Sequence, residues 1–506
     1  MKAVIAAVIS SVFLFSCREK QPTYDLIIRN GLVYDGSGTA PVKADIGIRN
    51  DTIAFIGDLS GEKGVTETDA GGKAVAPGFI DTHSHHAGDP FGHRDLPAVV
   101  SQGITSIIIG QDGGSHFPLS ELFQQLTDTT VAVNIGSYSG HNTIRDSILG
   151  QDFKRTATPG EIQQMKELLV QDMNAGALGL STGLEYDPGI YSSRAEVLEL
   201  TKAIVPFKGR YISHIRSEDR WFWNAMDEII TIGRETGVPV QVSHIKLAMH
   251  QLWGKADSLL ALMDKARSEG VQLTCDIYPY DFWHSTIRVL FPERNYTSRA
   301  EALNILEHIT RPQDITLAAY EPNPAYEGKT LADIATLENK QPADMLMALI
   351  SRIEEWEKAH HNECRESILA TSMAEADIRK LMQWPQANIC SDGSSSGRHP
   401  RGYGAFTRVL GKYTRDEKVL TLAEAIHKMT GLAATQLGIR KRGFIRTGYF
   451  ADIVLFDPGT VTDKATVADP HALSEGIIRV WVNGELVYAD KKTTSHYPGR
   501  PLRRQS

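Results

Sequence analysis

Cysteine is scarce: Cys17, Cys275, Cys364 and Cys390 are all that the 506 residues carry. None stands in Cys-x-x-Cys spacing, which excludes a zinc knot and offers no disulfide framework. Any metal bound here is therefore held by histidine and carboxylate. A basic cluster is missing as well, and a formal net charge of -8 leaves no electrostatic footprint for nucleic acid. Compositional bias is absent: with 42% hydrophobic and 23% charged residues, disorder is not in play. The apolar run over residues 3–15 is too short to cross a bilayer as a helix.

That run follows Met1 and Lys2 and matches the hydrophobic region of a secretory signal. It ends in Leu14-Phe15-Ser16-Cys17, which resembles a bacterial lipobox, so residues 1–17 are expected to be a lipoprotein-type signal peptide with Cys17 as the acylated N-terminus. Several acyl chains anchor stably, since each buried methylene contributes about 0.8 kcal/mol. An ordinary cleaved signal is the alternative. Residues 18–23 form a short polar tether, and the expected location is exported and membrane-anchored on the periplasmic side.

From Tyr24 the chain reads as short strands broken at Asn30-Gly31, Asp35-Gly36 and Asn50-Asp51. Strands return at 448–456 and 477–488, the latter with an Asn483-Gly484 turn. The two β-rich segments, 24–74 and 441–490, are expected to join as one small β-sandwich. Between them strand and helix alternate. Eight apolar runs meet polar clusters, at 75–81, 105–110, 131–135, 177–181, 210–214, 239–244, 273–277 and 388–391. Helix starts are readable at Thr158-Pro159-Gly160-Glu161, Ser193-Arg194-Ala195-Glu196 and Thr421-Leu422-Ala423-Glu424. This α/β pattern predicts a (β/α)8, TIM-like barrel over 75–440 with its site at the carboxyl ends of the strands. More than a crossover lies between strands seven and eight, so a helical insert at about 286–365 is expected, as a lid or as an embellishment.

The strand ends carry the chemistry. His83 and His85, two apart in an extended strand, project to one side. Glu185 follows strand four, His214 strand five, His244 strand six and Asp392 strand eight. Four imidazoles and two carboxylates suit zinc, as one ion or as two with a shared oxygen ligand.

The motifs that hold these residues resemble a known family. Pro77-Gly78-Phe79-Ile80-Asp81-Thr82-His83-Ser84-His85, Gly179 through Tyr186, Ser213-His214-Ile215-Arg216-Ser217-Glu218, Ser243-His244-Ile245-Lys246, Asp276-Ile277-Tyr278-Pro279-Tyr280 and Ser391-Asp392-Gly393 with His399-Pro400-Arg401 look like the N-acyl-D-amino-acid deacylases (D-aminoacylases) of the amidohydrolase superfamily. The likeness runs from about residue 24 to 490. It implies a (β/α)8 barrel with a β-sandwich from both termini, hydrolysis of an N-acyl amide, and Asp392 as the catalytic acid and base. Well-known members carry a metal-binding cysteine in an Asn-Cys-Gly turn after strand two; here the turn is Gln111-Asp112-Gly113. The shared ligand is expected to have moved to Glu185, with Asp112 as the alternative.

The resemblance associates Lys246 and Tyr278 with the product carboxylate. Arg288 and Arg401 are further candidates because guanidinium grips a carboxylate with paired hydrogen bonds, and His399 joins them in the His-Pro-Arg motif. Tyr186 or His141 is the candidate donor to the oxyanion. The expected partner is a small N-acyl amino acid. Competing readings are a dipeptidase acting before a C-terminal D-residue, a cyclic-amide hydrolase of hydantoinase or dihydroorotase type, and a lipid-anchored binding protein without turnover.

Overall fold

The computed structural model describes residues 23–86, 91–361 and 363–504. The signal and lipidation expectation, Cys17 included, lies outside them. The middle of the chain is a mixed α/β fold built on parallel strands. Six run in the order Ala387–Ile389, Leu273–Ile277, Val240–Val242, Arg210–His214, Gly179–Gly183, Ser139–Gly140, every pair parallel. Four more run Pro501–Leu502, Asn134–Ser137, Ile104–Ile109, Phe79–Asp81, again all parallel. Asn134–Ser137 and Ser139–Gly140 are one stretch of chain, which joins the sheets on one side. On the other, a parallel bridge pairs Ser84 with Gly393, and Asp392 N–H donates to His83 carbonyl at 2.9 Å.

Helices cover these strands, which is why Ile104–Ile109 is buried at all six positions rather than alternating. The expected starts hold. Thr158 and Thr421 form full capping boxes for Pro159–Ala175 and Leu422–Met429, and Ser193 accepts the Glu196 N–H at the head of Arg194–Ile204. Each hydroxyl satisfies an amide that the helix leaves unpaired.

The first strand expected at 75–81 divides in two. Ala74–Pro77 lies antiparallel to Ile453–Phe456 in a nine-stranded sheet drawn from both ends of the chain, whereas Phe79–Asp81 enters the parallel sheet. Gly78 makes the step, because a Cβ there would stand 2.2 Å from Thr105.

The insert also departs from expectation. Beyond the helices Arg299–His308, Leu331–Leu337 and Pro342–His360 it holds a three-stranded antiparallel sheet, in the order Phe282–Ser285, Glu366–Thr371, Ile315–Tyr320. It has its own core, in which Ile305, Leu317, Leu346, Ile350 and Ile368 pack together. Arg220 pairs with Glu301 and Trp253 Nε1 donates to the Ser372 carbonyl at 2.8 Å, tying the insert to loops that follow the carboxyl ends of the strands. At the opposite ends, Leu502 packs on Ile80, Ile108, Tyr138, Leu178 and Ile212. No helix among the described residues is long and apolar enough to cross a membrane.

Candidate metal centre and cavity

Every expected ligand leaves the carboxyl end of a parallel strand, and the fold brings them into three overlapping groups. His83, His85, Asp112 and Asp392 form one, Asp112, His214 and His244 the second, and Glu185, His214 and Glu218 the third, with candidate ligand atoms in each lying within 4.8 Å of one another. Asp112 belongs to the first two. Its Oδ2 lies 3.4 Å from His83 Nε2 and 3.3 Å from His85 Nε2, and its Oδ1 lies 3.3 Å from His244 Nε2. Asp392 Oδ1 is 3.5 Å and 3.2 Å from the same two nitrogens of His83 and His85. His214 Nδ1 lies 3.1 Å from His244 Nε2.

Asp112, the alternative to Glu185, is thus the carboxylate that lies between the histidine pairs. The turn explains it: Asp112 (φ 53°) and Gly113 (φ 77°) are both left-handed, a conformation that aspartate tolerates and glycine favours. Glu185 instead sits outside His214, with Oε2 3.0 Å from His214 Nε2 and Oε1 accepting the Glu218 N–H at 2.8 Å.

A divalent cation fits this set. Both ring nitrogens of His83 are buried without a hydrogen-bond partner, an arrangement that costs free energy unless something else satisfies them. Burial opposes charge on Asp112, yet His83 and His244 hold its carboxyl well below the usual range. Asp392 behaves alike: burial is outweighed by Arg401, His244 and His83. Both acids are therefore ionised, the form in which a carboxylate binds metal.

The loops around the ligands are locked to one another. Ser391 donates to Asp81 from N–H at 2.8 Å and from Oγ at 2.5 Å, tying the Asp392 turn to the His83 strand. Asp276 accepts the His244 N–H and the Gln241 amide. Glu218 accepts from Lys246 Nζ at 2.7 Å and lies 3.0 Å from His244 Nδ1.

Above the cluster opens a cavity of about 560 Å³, lined by His85, Asp112, Glu185, Tyr186, His214, His244, Lys246, Tyr278, Asp392, His399 and Arg401 and by a wall from the insert. Lys246 Nζ stands 5.6 Å and the Arg401 guanidinium 4.7 Å from the Tyr278 ring, and the Tyr278 hydroxyl is buried without a partner. Arg401 also pairs with Asp392 at 2.7 Å.

Residues 66–273 and 325–488 match the amidohydrolase family. The chain belongs to that family. It is 35% identical to the N-acyl-D-glutamate deacylase of Alcaligenes xylosoxydans xylosoxydans over 96% of this chain and 98% of the relative. An N-acyl-D-glutamate deacylase of Bordetella bronchiseptica, solved with zinc and a phosphonate mimic of the tetrahedral intermediate, superposes with TM-score 0.85 at 33% identity, covering 95% of this chain and 99% of that one. A D-aminoacylase structure that addresses the role of its binuclear metal center superposes with TM-score 0.84 at 32% identity, covering 95% and 100%.

Within this amidohydrolase, three candidates from the sequence are committed to partners inside the protein. Arg288 does not line the cavity; its guanidinium pairs with Glu357 at 2.6 Å. His141 is buried against Glu196 at 2.9 Å and is likewise outside the lining. His399 lines the cavity, but Nε2 donates to the Phe282 carbonyl and Nδ1 accepts the Arg401 N–H, so both nitrogens are engaged in holding the loop. Sequence reasoning passed over Glu218 and Asp276 as members of the site. Both lie inside the quoted motifs, Glu218 four residues after His214 and Asp276 two before Tyr278.

Proposed function

We propose that the protein hydrolyses the amide of N-acyl-D-amino acids, releasing a carboxylate and a free D-amino acid. The observation that carries this reading is the Asp112 carboxylate shared between a His83–His85–Asp392 group and a His214–His244 pair at the floor of a cavity. We infer that His83, His85, Asp112 and Asp392 hold one zinc ion and that His214, His244 and Asp112 hold a second. Glu185 buttresses His214. When bound, zinc supplies a nucleophile at neutral pH and polarises the amide carbonyl.

The rest falls to the chain's own groups. Asp392 takes the proton of the attacking water at its carboxylate and passes it to the departing amine nitrogen. Arg401 keeps that carboxylate charged and aimed. Lys246, the unpartnered Tyr278 hydroxyl and Arg401 surround the place for the substrate carboxylate, and Tyr186, whose ring lies 4.4 Å from that of His214, is the donor best situated toward the oxyanion.

The same proposal extends to the architecture. The Ser84–Gly393 bridge and the continuity at residues 137–139 support closure of the two parallel sheets as one (β/α)8 barrel over 75–440, and the nine-stranded sheet supports a β-sandwich from 24–74 and 441–490. Export with a lipid anchor at Cys17 completes the reading; its support is the lipobox-like Leu14-Phe15-Ser16-Cys17 alone.

The test is metal analysis joined to amine release from N-acetyl-D- and N-acetyl-L-amino acids. Release from the D-series that disappears on full metal removal and returns with zinc is expected. Release that survives metal removal, or activity on hydantoins alone, would refute the proposal.

A further inference from the structure

The insert contributes a wall of the cavity that carries two polar groups which nothing in the protein satisfies. Glu366 opens the strand Glu366–Thr371, and His284 lies on its antiparallel neighbour Phe282–Ser285. Both line the cavity. Glu366 Oε2 accepts the Ile287 N–H at 2.9 Å, but Oε1 is buried without a partner, and His284 Nε2 is buried without one too. Around them Trp283, Val289, Leu290 and Ile309 supply apolar surface, and Ser285, Thr286 and Ser367 supply small polar residues. The charges nearest in effect to His284 are Arg401 first, then Asp392 and His85, and those acting on Glu366 are Arg288 and Glu357.

Buried polar atoms left unpaired in a binding cavity cost free energy until a ligand pairs them. The charge pattern narrows which ligand that is. Among the described residues, no lysine or arginine of the insert lines the cavity, and Arg288, the cation behind Glu366, is committed to Glu357. Arg401, the cation nearest in effect to His284, is paired with Asp392, so a second carboxylate at Glu366 would meet that carboxyl with no uncommitted cation of the insert beside it.

We propose that Glu366 and His284 form a recognition subsite for a hydrogen-bond-donating group, neutral or cationic, on the part of the substrate that extends from the scissile amide toward the insert, and that anionic groups are rejected there. The proposal rests on the hydrolase reading above and narrows it: amide, hydroxyl or ammonium groups fit the wall, and the carboxylates of glutamate and aspartate side chains do not. The group can belong to the amino-acid side chain or to the acyl half, which share this chemistry.

Two substrate series, compared by kcat/KM on the zinc-loaded full chain at about pH 8.5, where Glu366, whose carboxyl burial raises to about 7, is ionised, distinguish the sources. N-acetyl-D-glutamine, N-acetyl-D-lysine and N-acetyl-D-glutamate vary the side chain. Acetyl-, β-alanyl- and succinyl-D-leucine vary the acyl half. In the series that reaches the wall, the anionic member is expected to be poorer than its neutral or cationic counterparts by about 100-fold, with little spread in the other. Glu366→Gln should narrow that gap to less than about tenfold, and Glu366→Asp should keep it. Should Glu366→Gln fail to fold, His284→Phe carries the same comparison, lowering kcat/KM for the donor-bearing members relative to N-acetyl-D-leucine. Equal or better cleavage of the anionic member in both series, or a Glu366→Gln variant that slows all substrates alike, would overturn the proposal and leave the hydrolase reading standing. Cleavage of no member would overturn both.

Discussion

At Asp112 a left-handed turn aims one carboxylate oxygen at the His83–His85 pair and the other at His244. Asp112→Ala should therefore lower bound zinc and rate together, read by elemental analysis of the purified protein. Glu185→Gln, which loosens only the outer partner of His214, should keep the stoichiometry and weaken affinity by about 10–100-fold. Unchanged zinc in Asp112→Ala would return the shared position to Glu185. Asp392→Asn removes the proton acceptor and one ligand oxygen's charge while leaving Lys246 and Tyr278 in place, so kcat is expected to fall by about 10²–10⁴-fold with little change in KM. The histidines were legible in the sequence because each closes a motif at a strand end. Asp112 was the weaker choice there, because residue identity does not reveal that positive φ at two successive positions turns a loop carboxylate inward.

Elements were readable where period and caps agreed. The three Thr/Ser-initiated helices start where their hydroxyls can reach an N3 amide, and the parallel strands other than Pro501–Leu502 fall close to the eight apolar runs. Two readings went astray for a common reason: short apolar runs do not disclose their partner. Residues 74–80 form a continuous apolar run, yet Gly78 splits it between two sheets, and Ile315–Tyr320 pairs as a strand inside a segment whose helical periodicity dominates. Gly78→Val tests the first point. With a Cβ 2.2 Å from Thr105, the variant should lose on the order of 1–3 kcal/mol, measured by urea unfolding.

For the molecule as a whole, stability should carry the signature of Glu366. Burial pushes its carboxyl up to about 7 from 4.5, so the folded state binds the proton more tightly than the unfolded chain. Its contribution is complete below about pH 4.5 and is lost as pH rises through 7, a change of about 2–3 kcal/mol. The difference in unfolding free energy between wild type and Glu366→Gln, followed from pH 5 to 8, should trace that loss, and a flat difference would contradict it. Leu502 closes the amino-terminal ends of the parallel strands, and Leu502→Ala is expected to cost about 2 kcal/mol in the same measurement. A two-residue strand so near the end of the chain has no periodicity to reveal it. The ligand groups, finally, contain nitrogen and oxygen donors only, with Asp112 at the turn where the resemblance to well-known D-aminoacylases leads one to expect a cysteine. Cys275, Cys364 and Cys390 are all buried, and burial raises their thiols. Turnover should accordingly withstand iodoacetamide and dilute peroxide, reagents that would disable a centre built around a thiolate.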